Sequence, residues 1–242
     1  AFVVIERRQR HPLLPFSIFR LRTLRGADIV GLLIGMSLFS MFFFISLYLQ
    51  DVLGFSAIRT GLSYLPLAVG IIVSAGVGSQ LVTRIGFKPV LIGGLLLVAG
   101  GLLWFSQVPA PGGSFSADVL GPSLLAAFGL GFSFVSVTIG AVTGTKPHEA
   151  GLASGLINTS QQVGGALGLA ILATVANSRT QGLLSGGVHP SVALTKGFDR
   201  AFLVGAGFAI VGAILAAVLI SSHDSREQAE AARRGELDPV AA

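Results

Sequence analysis

Residues Gly151–Ile171 read GLASGLINTSQQVGGALGLAI. Five consecutive residues at the centre are polar: Asn158, Thr159, Ser160, Gln161 and Gln162. Gly151 and Gly155 precede them, and Gly164, Gly165 and Gly168 follow. Placed on a helix at about 100° per residue, Gly151, Gly155, Asn158, Gln162 and Gly165 fall within one arc of about 80°. Ser154, Gln161 and Gly168 flank that arc, and Ala153, Leu156, Val163, Leu167 and Ile171 hold the far side. Thr159 and Ser160 stray from the polar face, but their hydroxyls can bond back to helix carbonyls. Two readings stay open. The plainer is packing: small residues four apart let helices approach, and amides then bond across the contact for ~0.6–2 kcal/mol. The other is that Asn158, Gln161 or Gln162 faces a water-filled cavity and touches a ligand.

The rest of the chain says which medium surrounds this helix. Of 242 residues, 52% are hydrophobic and only 11% charged, with a mean hydropathy of +0.81. Soluble domains carry about 25% charged residues, so the chain belongs to the membrane class. A helix needs about 20 mostly apolar residues to cross the hydrocarbon core. Six stretches qualify, at 27–50, 60–83, 89–107, 117–144, 152–177 and 199–221. Uniform apolar runs of this length must be helical, because lipid offers no partner to exposed backbone groups. The expected fold is therefore all-α: a polytopic membrane protein with six transmembrane helices over 27–221. Residues 1–26 form the end of a preceding span plus a basic linker, and residues 222–242 a solvated tail that frays.

Orientation follows from Lys and Arg. Twelve of the sixteen lie on one side: Arg7, Arg8, Arg10, Arg20, Arg22 and Arg25, then Arg84 and Lys88, Lys146, and Arg226, Arg233 and Arg234. The other side has Arg59, Arg179, Lys196 and Arg200. The positive-inside rule places the basic linker and the C-terminal tail in the cytoplasm. The expected location is thus the cell's inner (plasma) membrane, multi-pass, with the lipid bilayer as first partner. The loop over 178–198 shows no evident site.

Six spans divide into two sets of three. The second helix of each opens with Gly-Leu, at Gly61–Leu62 and Gly151–Leu152. Because three is odd, the sets run in opposite senses, as in an inverted repeat. LYLQDVLGFSAIRTGLSYLP (Leu47–Pro66) and AGLASGLINTSQQVGGALGLAI (Ala150–Ile171) resemble two marked segments of the fourteen-span drug:proton antiporters. These are the EmrB/QacA type of the major facilitator superfamily. The segment VIERRQRHPLLPFSIFRLRTL is similar to that family's basic link into its last six spans. The loop GSQLVTRIGFKPV resembles the superfamily's cytoplasmic loop motif at Gly78, Leu81, Arg84, Gly86 and Lys88, with Thr83 where the better-formed copy carries Asp.

That resemblance implies a C-terminal half whose N-terminal half is missing. It implies secondary active efflux of lipophilic or cationic drugs in exchange for protons, by alternating access. The face carrying Gly151, Gly155, Asn158, Gln162 and Gly165 becomes the interface between halves. The first and fourth helices become cavity liners, with Ser40, Phe43, Tyr48, Gln50, Phe132 and Ser136 as substrate contacts. In the second helix Gly70, Ser74 and Gly78 recur every four residues, and packing is the preferred reading. Pro66 there marks a kink or a helix start.

Other chemistries find no support in the residues. Without cysteine there is no disulfide or thiolate metal site. His11, His148, His189 and His223 lie in loops or the tail. No HExxH, no carboxylate pair within a span and no phosphate-cradling Gly-Lys-Ser/Thr loop is present. Neither a catalytic residue, nor a metal, nor a cofactor, nor a nucleic-acid partner is expected. Asp28, Asp118 and Asp199 sit at span ends, so the proton-coupling carboxylate is expected in the missing half. Two alternatives remain: a major facilitator transporter of a metabolite or siderophore, and a non-transporting membrane scaffold subunit.

Overall fold

The computed structural model describes Ile18 and residues 21–109, 112–146 and 149–234. Most of the basic linker, His148 and the chain beyond Arg234 lie outside the described residues. Helix α1 spans Arg22–Leu47 and runs into a π-helical turn at Tyr48–Val52. A short α2 (Ala57–Ser63) and α3 (Leu65–Ile85) follow, then α4 (Phe87–Phe105). A π turn at Phe115–Val119 leads into α5 (Leu120–Val142). Helices α6 (Ala150–Ser185), α7 (Pro190–Leu219) and α8 (Ser222–Arg234) complete the described residues. No strand occurs among the described residues.

Among the described residues, five helical segments are long and apolar enough to cross a membrane: Arg22–Val52, Ala57–Ile85, Phe87–Phe105, Phe115–Val142 and Pro190–Leu219. The sequence leads one to expect six. The helix outside this set is α6, which at 36 residues has length to spare. Its amide run and its polar end near Asn177–Gln181 make it too polar to join them.

Local chemistry sets the boundaries. The Ser56 side chain caps α2 by accepting the Arg59 N–H at 3.3 Å. The break at Tyr64 lets Pro66 sit in the first turn of α3, where a missing N–H costs nothing. Pro66 is thus a helix start rather than a kink. At the far end of α3, Gly86 has φ +87°, which stops the helix and turns the chain into α4. The expected loop over 178–198 is instead mostly helix, because α6 continues to Ser185 and α7 begins at Pro190. The Thr180 hydroxyl donates to the Ala193 carbonyl at 3.3 Å across that narrow turn. An apolar run reports the thickness of lipid, whereas a helix continues while its backbone stays paired.

Helix α1 packs on α6 and α7, α5 packs on α3 and α4, and α4 packs on α7. The α1–α6 pair is parallel, with Gly31 against Ile157, Gly35 against Gln161 and Met36 against Gly168. The α3–α5 pair is parallel too, with Gly70 against Ala127 and Gly78 against Phe132. Exchanging α1, α3 and α4 for α5, α6 and α7 therefore maps α1–α6 onto α3–α5, α1–α7 onto α4–α5, and α4–α7 onto itself. The three-plus-three repeat has a counterpart in packing.

The α1–α6 crossing is a backbone contact. A Cβ on Gly35 would collide with the Gln161 carbonyl, one on Gly164 with the Leu32 carbonyl, and one on Gly168 with the Met36 backbone. At one end of the bundle Phe44, Phe105, Phe198 and Phe202 form an aromatic core, with the Phe105 and Phe202 rings stacked at 5.1 Å. At the other, Leu24, Val82, Phe87, Leu91 and Ile220 close the core. Helix α3 buries only a stripe on α5, made of Leu67, Gly70, Ser74, Gly78 and Val82. The Ser74 hydroxyl donates across it to the Ala127 carbonyl at 3.2 Å.

Candidate functional site

The face of α6 singled out by its amides divides in two. Gly151, Gly155, Asn158 and Gln162 are exposed, and a Cβ at Gly151 or Gly155 would meet nothing within 4 Å. Gly165 departs from them: it is buried, and a Cβ there would strike the Phe39 ring at 2.5 Å. The contact with α1 uses Gly164, Gly165 and Gly168, takes in Gln161 against Gly31 and Gly35, and leaves Asn158 and Gln162 outside it. Neither Asn158 nor Gln162 has a hydrogen-bond partner among the described residues. Thr159 bonds back to the Gly155 carbonyl at 2.8 Å, as expected of a hydroxyl that strays from a polar face.

The six cavity candidates do not form one exposed surface. Phe43, 40% exposed, lies on the outer face of α1 with Phe39, and Gln50 is exposed on the π turn that continues it. Ser40 and Tyr48 point into the bundle, and the Tyr48 hydroxyl donates to the Pro109 carbonyl at 3.1 Å. Ser136 is fully buried in α5, and Phe132 is half-buried against Gly78. The hydroxyls of Ser40, Ser133 and Ser136 are buried without a partner. All three belong to α1 and α5, the first and fourth long helices apart from α6. Nearby, the Tyr64 hydroxyl donates to the Phe42 carbonyl at 2.7 Å and lies 2.8 Å from Ser46 Oγ, tying the start of α3 to α1.

The loop motif has a concrete partner that sequence reasoning missed. The tail expected to fray forms the amphipathic α8 and docks on the loop. The Lys88 ammonium donates to the Ile220 carbonyl at 2.8 Å and to Ser222 Oγ at 2.9 Å, closing the C-terminal end of α7. The Lys88 N–H donates to Ser225 Oγ at 3.0 Å. Gly86 lies against Ser225 so closely that a Cβ would collide with it. Arg233 donates from Nε to the Thr83 carbonyl at 3.2 Å and from Nη2 to the Arg84 carbonyl, closing the end of α3. Arg22 donates to the Val218 carbonyl at 3.2 Å, and Thr23 donates to Asp224. Helix ends leave such carbonyls unsatisfied, and cations there are favourable. Arg84, Gly86 and Lys88 thus sit along one junction, with Arg84 contributing its carbonyl and leaving its side chain exposed, whereas Gly78 packs on Phe132 of α5 instead. The available signal was SSHD (Ser221–Asp224), a capping pattern: the Ser221 side chain accepts the Asp224 N–H at 3.2 Å and donates to Asp224 Oδ1 at 2.9 Å.

Beside this junction a cavity of about 640 Å³ opens between the ends of α1, α3 and α5 and the flank of α8. Arg22, Thr23, Thr143, Asp224 and Gln228 are among its polar lining residues. Asp28 and Asp199, expected at or near span ends, lie inside α1 and α7, because these helices begin before the apolar runs do. Asp199 is 8% exposed.

This all-helical bundle has close relatives in sequence. The profile of the Major Facilitator Superfamily matches residues 4–169. The puromycin resistance protein pur8 of Streptomyces alboniger is 34% identical over 229 residues, which covers 92% of this chain and 46% of that protein. The cephamycin export protein CmcT of Amycolatopsis lactamdurans is 34% identical over 221 residues, covering 90% and 44%. The multidrug transporter protein MdtP of Bacillus subtilis is 27% identical over 192 residues, covering 78% and 35%. The chain spans about half the length, or less, of these curated relatives. With the profile matched over most of its length, and with relatives of this identity spanning nearly all of it, the chain belongs to the Major Facilitator Superfamily of membrane transporters.

Proposed function

We propose that the chain is the C-terminal half of a fourteen-span drug:proton antiporter. Helix α6 crosses the membrane with the five apolar segments, making six spans. The complete protein expels lipophilic or cationic compounds in exchange for protons by alternating access. Its α8 end lies in the cytoplasm, the side holding twelve of the sixteen basic residues. The names of the relatives, which speak of puromycin resistance, cephamycin export and multidrug transport, support an exporter of bulky organic molecules.

The observation that carries this reading is the outer face of α6. Gly151, Gly155, Asn158 and Gln162 form a small, polar surface that none of the described residues covers. Left against hydrocarbon, amides without partners are costly. A second six-helix bundle meeting that face would supply partners, and its small residues would let the two surfaces slide. Phe43 and Gln50, exposed on α1 and the π turn that continues it, border the cavity between the halves, where apolar area with few polar groups suits lipophilic substrates. Ser40 and Tyr48 point into the bundle from the same segment, while Phe132 packs on Gly78 of α3 and Ser136 is buried in α5.

Two measurements on the full-length protein test this. In the first, Asn158→Cys and Gln162→Cys are each paired with cysteines across the N-terminal bundle. Cross-links between the halves are expected, whereas ready labelling from lipid with no cross-link refutes the interface. In the second, efflux of a lipophilic cation is followed in vesicles under an imposed proton gradient. Efflux that survives an uncoupler unchanged refutes proton exchange.

A further inference from the structure

At the end of the bundle opposite α8, three cations converge on one pocket. Arg179 from α6, and Lys196 and Arg200 from α7, line a cavity of about 390 Å³ with Ser106, Asp199 and Leu203. The Lys196 ammonium bonds Asp199 Oδ2 at 2.9 Å, which fixes it on the pocket wall. Asp199 Oδ1 is buried and has no partner. Among the described residues neither Arg179 nor Arg200 meets a carboxylate, so the pocket keeps a net charge of two positive. By the reading above, this side of the bundle holds four of the sixteen basic residues. Three of the four are gathered here.

The surface below the pocket is apolar on the same line. At about 100° per residue, Lys196, Arg200, Leu203, Ile210, Ile214 and Val218 fall within an arc of about 80° on α7. Leu203 is 41% exposed, Ile214 57% and Val218 60%. A cationic pocket at the helix end, continued by an exposed apolar stripe directed into the membrane, has the layout of an anionic head group with its acyl chains. Cations scattered at a membrane edge snorkel to water individually. These come from two helices to one cavity, and one of them is pinned there by a buried carboxylate.

We propose that this pocket binds the phosphate of a membrane phospholipid, with the lipid's chains lying along the Leu203–Val218 stripe. The inference rests on the placement of the bundle in a bilayer and not on transport, so its test reads lipid retention alone. The full-length protein, purified in detergent, is incubated with phosphatidylglycerol, with diacylglycerol bearing the same chains, or with glycerol 3-phosphate, and bound adducts are counted by native mass spectrometry. Phosphatidylglycerol is retained and the other two are not. Arg179→Gln combined with Arg200→Gln lowers that retention about thirtyfold. The pair Arg179→Lys and Arg200→Lys keeps it, and Arg59→Gln, the cation of this side outside the pocket, leaves it unchanged. Asp199→Asn frees the Lys196 charge and raises retention about fivefold. Both arginines are exposed, so the fold does not depend on them. Equal adducts in wild type and the Arg179→Gln/Arg200→Gln variant overturn the proposal. So do glycerol 3-phosphate adducts as abundant as the lipid's, which would make the pocket a free-anion site, or an equal loss in Arg59→Gln, which would make the effect one of overall charge.

Discussion

Gly155 and Gly164 lie in the same helix, yet the structure gives alanine opposite consequences at the two positions. In isolation either Gly→Ala change favours a helix by about 1 kcal/mol. At Gly155 nothing opposes that gain, because the new methyl group meets no atom within 4 Å. At Gly164 the Cβ would collide with the Leu32 backbone carbonyl, which cannot rotate aside as a side chain would. Overpacking a tight contact costs about 1–3 kcal/mol, and a backbone partner belongs at the upper end. The parallel α1–α6 crossing must then open, loosening Gly35 against Gln161 and Gly168 against Met36 as well. Net destabilisation of about 2 kcal/mol is expected for Gly164→Ala, against a gain of up to about 1 kcal/mol for Gly155→Ala. The pair therefore separates by about 3 kcal/mol with identical chemistry. Unfolding of the full-length protein in mixed micelles, titrated with denaturing detergent, measures the difference. Equal stability of the two variants would refute the assigned crossing, and a stabilised Gly164→Ala would place α1 elsewhere.

Three further outcomes follow from the same geometry. Gly155→Trp puts bulk on the uncovered face of α6, so it should leave the packing within this bundle intact while abolishing efflux by the whole transporter; normal efflux would remove the proposed seam. Lys88→Ala deletes donors to the Ile220 carbonyl and Ser222 Oγ, a loss of about 1–3 kcal/mol at that junction; it should raise the rate of limited proteolysis within Ser222–Arg234, and unchanged cleavage would show that α8 is held by other contacts. Asp28→Asn should leave proton-driven efflux within about twofold of wild type, since about 0.4 kcal/mol is all that such a change represents. Abolished exchange with normal expression would bring the coupling carboxylate into this chain.

Sequence alone determined the medium and the helical class. An apolar fraction of 52% with 11% charge leaves no soluble alternative, and lipid admits only internally paired backbone, so apolar runs became helices. The period-four stripe Gly70, Ser74 and Gly78 was legible for a similar reason: small residues one turn apart line up on one face, and α5 fills it. Periodicity could not say which neighbour takes which part of a face. The arc on α6 is continuous on a helical wheel, but its buried stripe drifts round the helix from Ala153 through Gly164 to Ala176 as α1 and α7 cross it. That crossing drew Gly165 inward and left Asn158 and Gln162 outside. Helix ends were equally beyond an apolar count, since α6 and α7 run on past the lipid-like residues and carry Asp199 inside. The docking of α8 and the meeting of Arg179 with Lys196 and Arg200 join residues far apart in the chain. Such contacts depend on where helices are brought together in space, which packing decides and one-dimensional pattern does not encode.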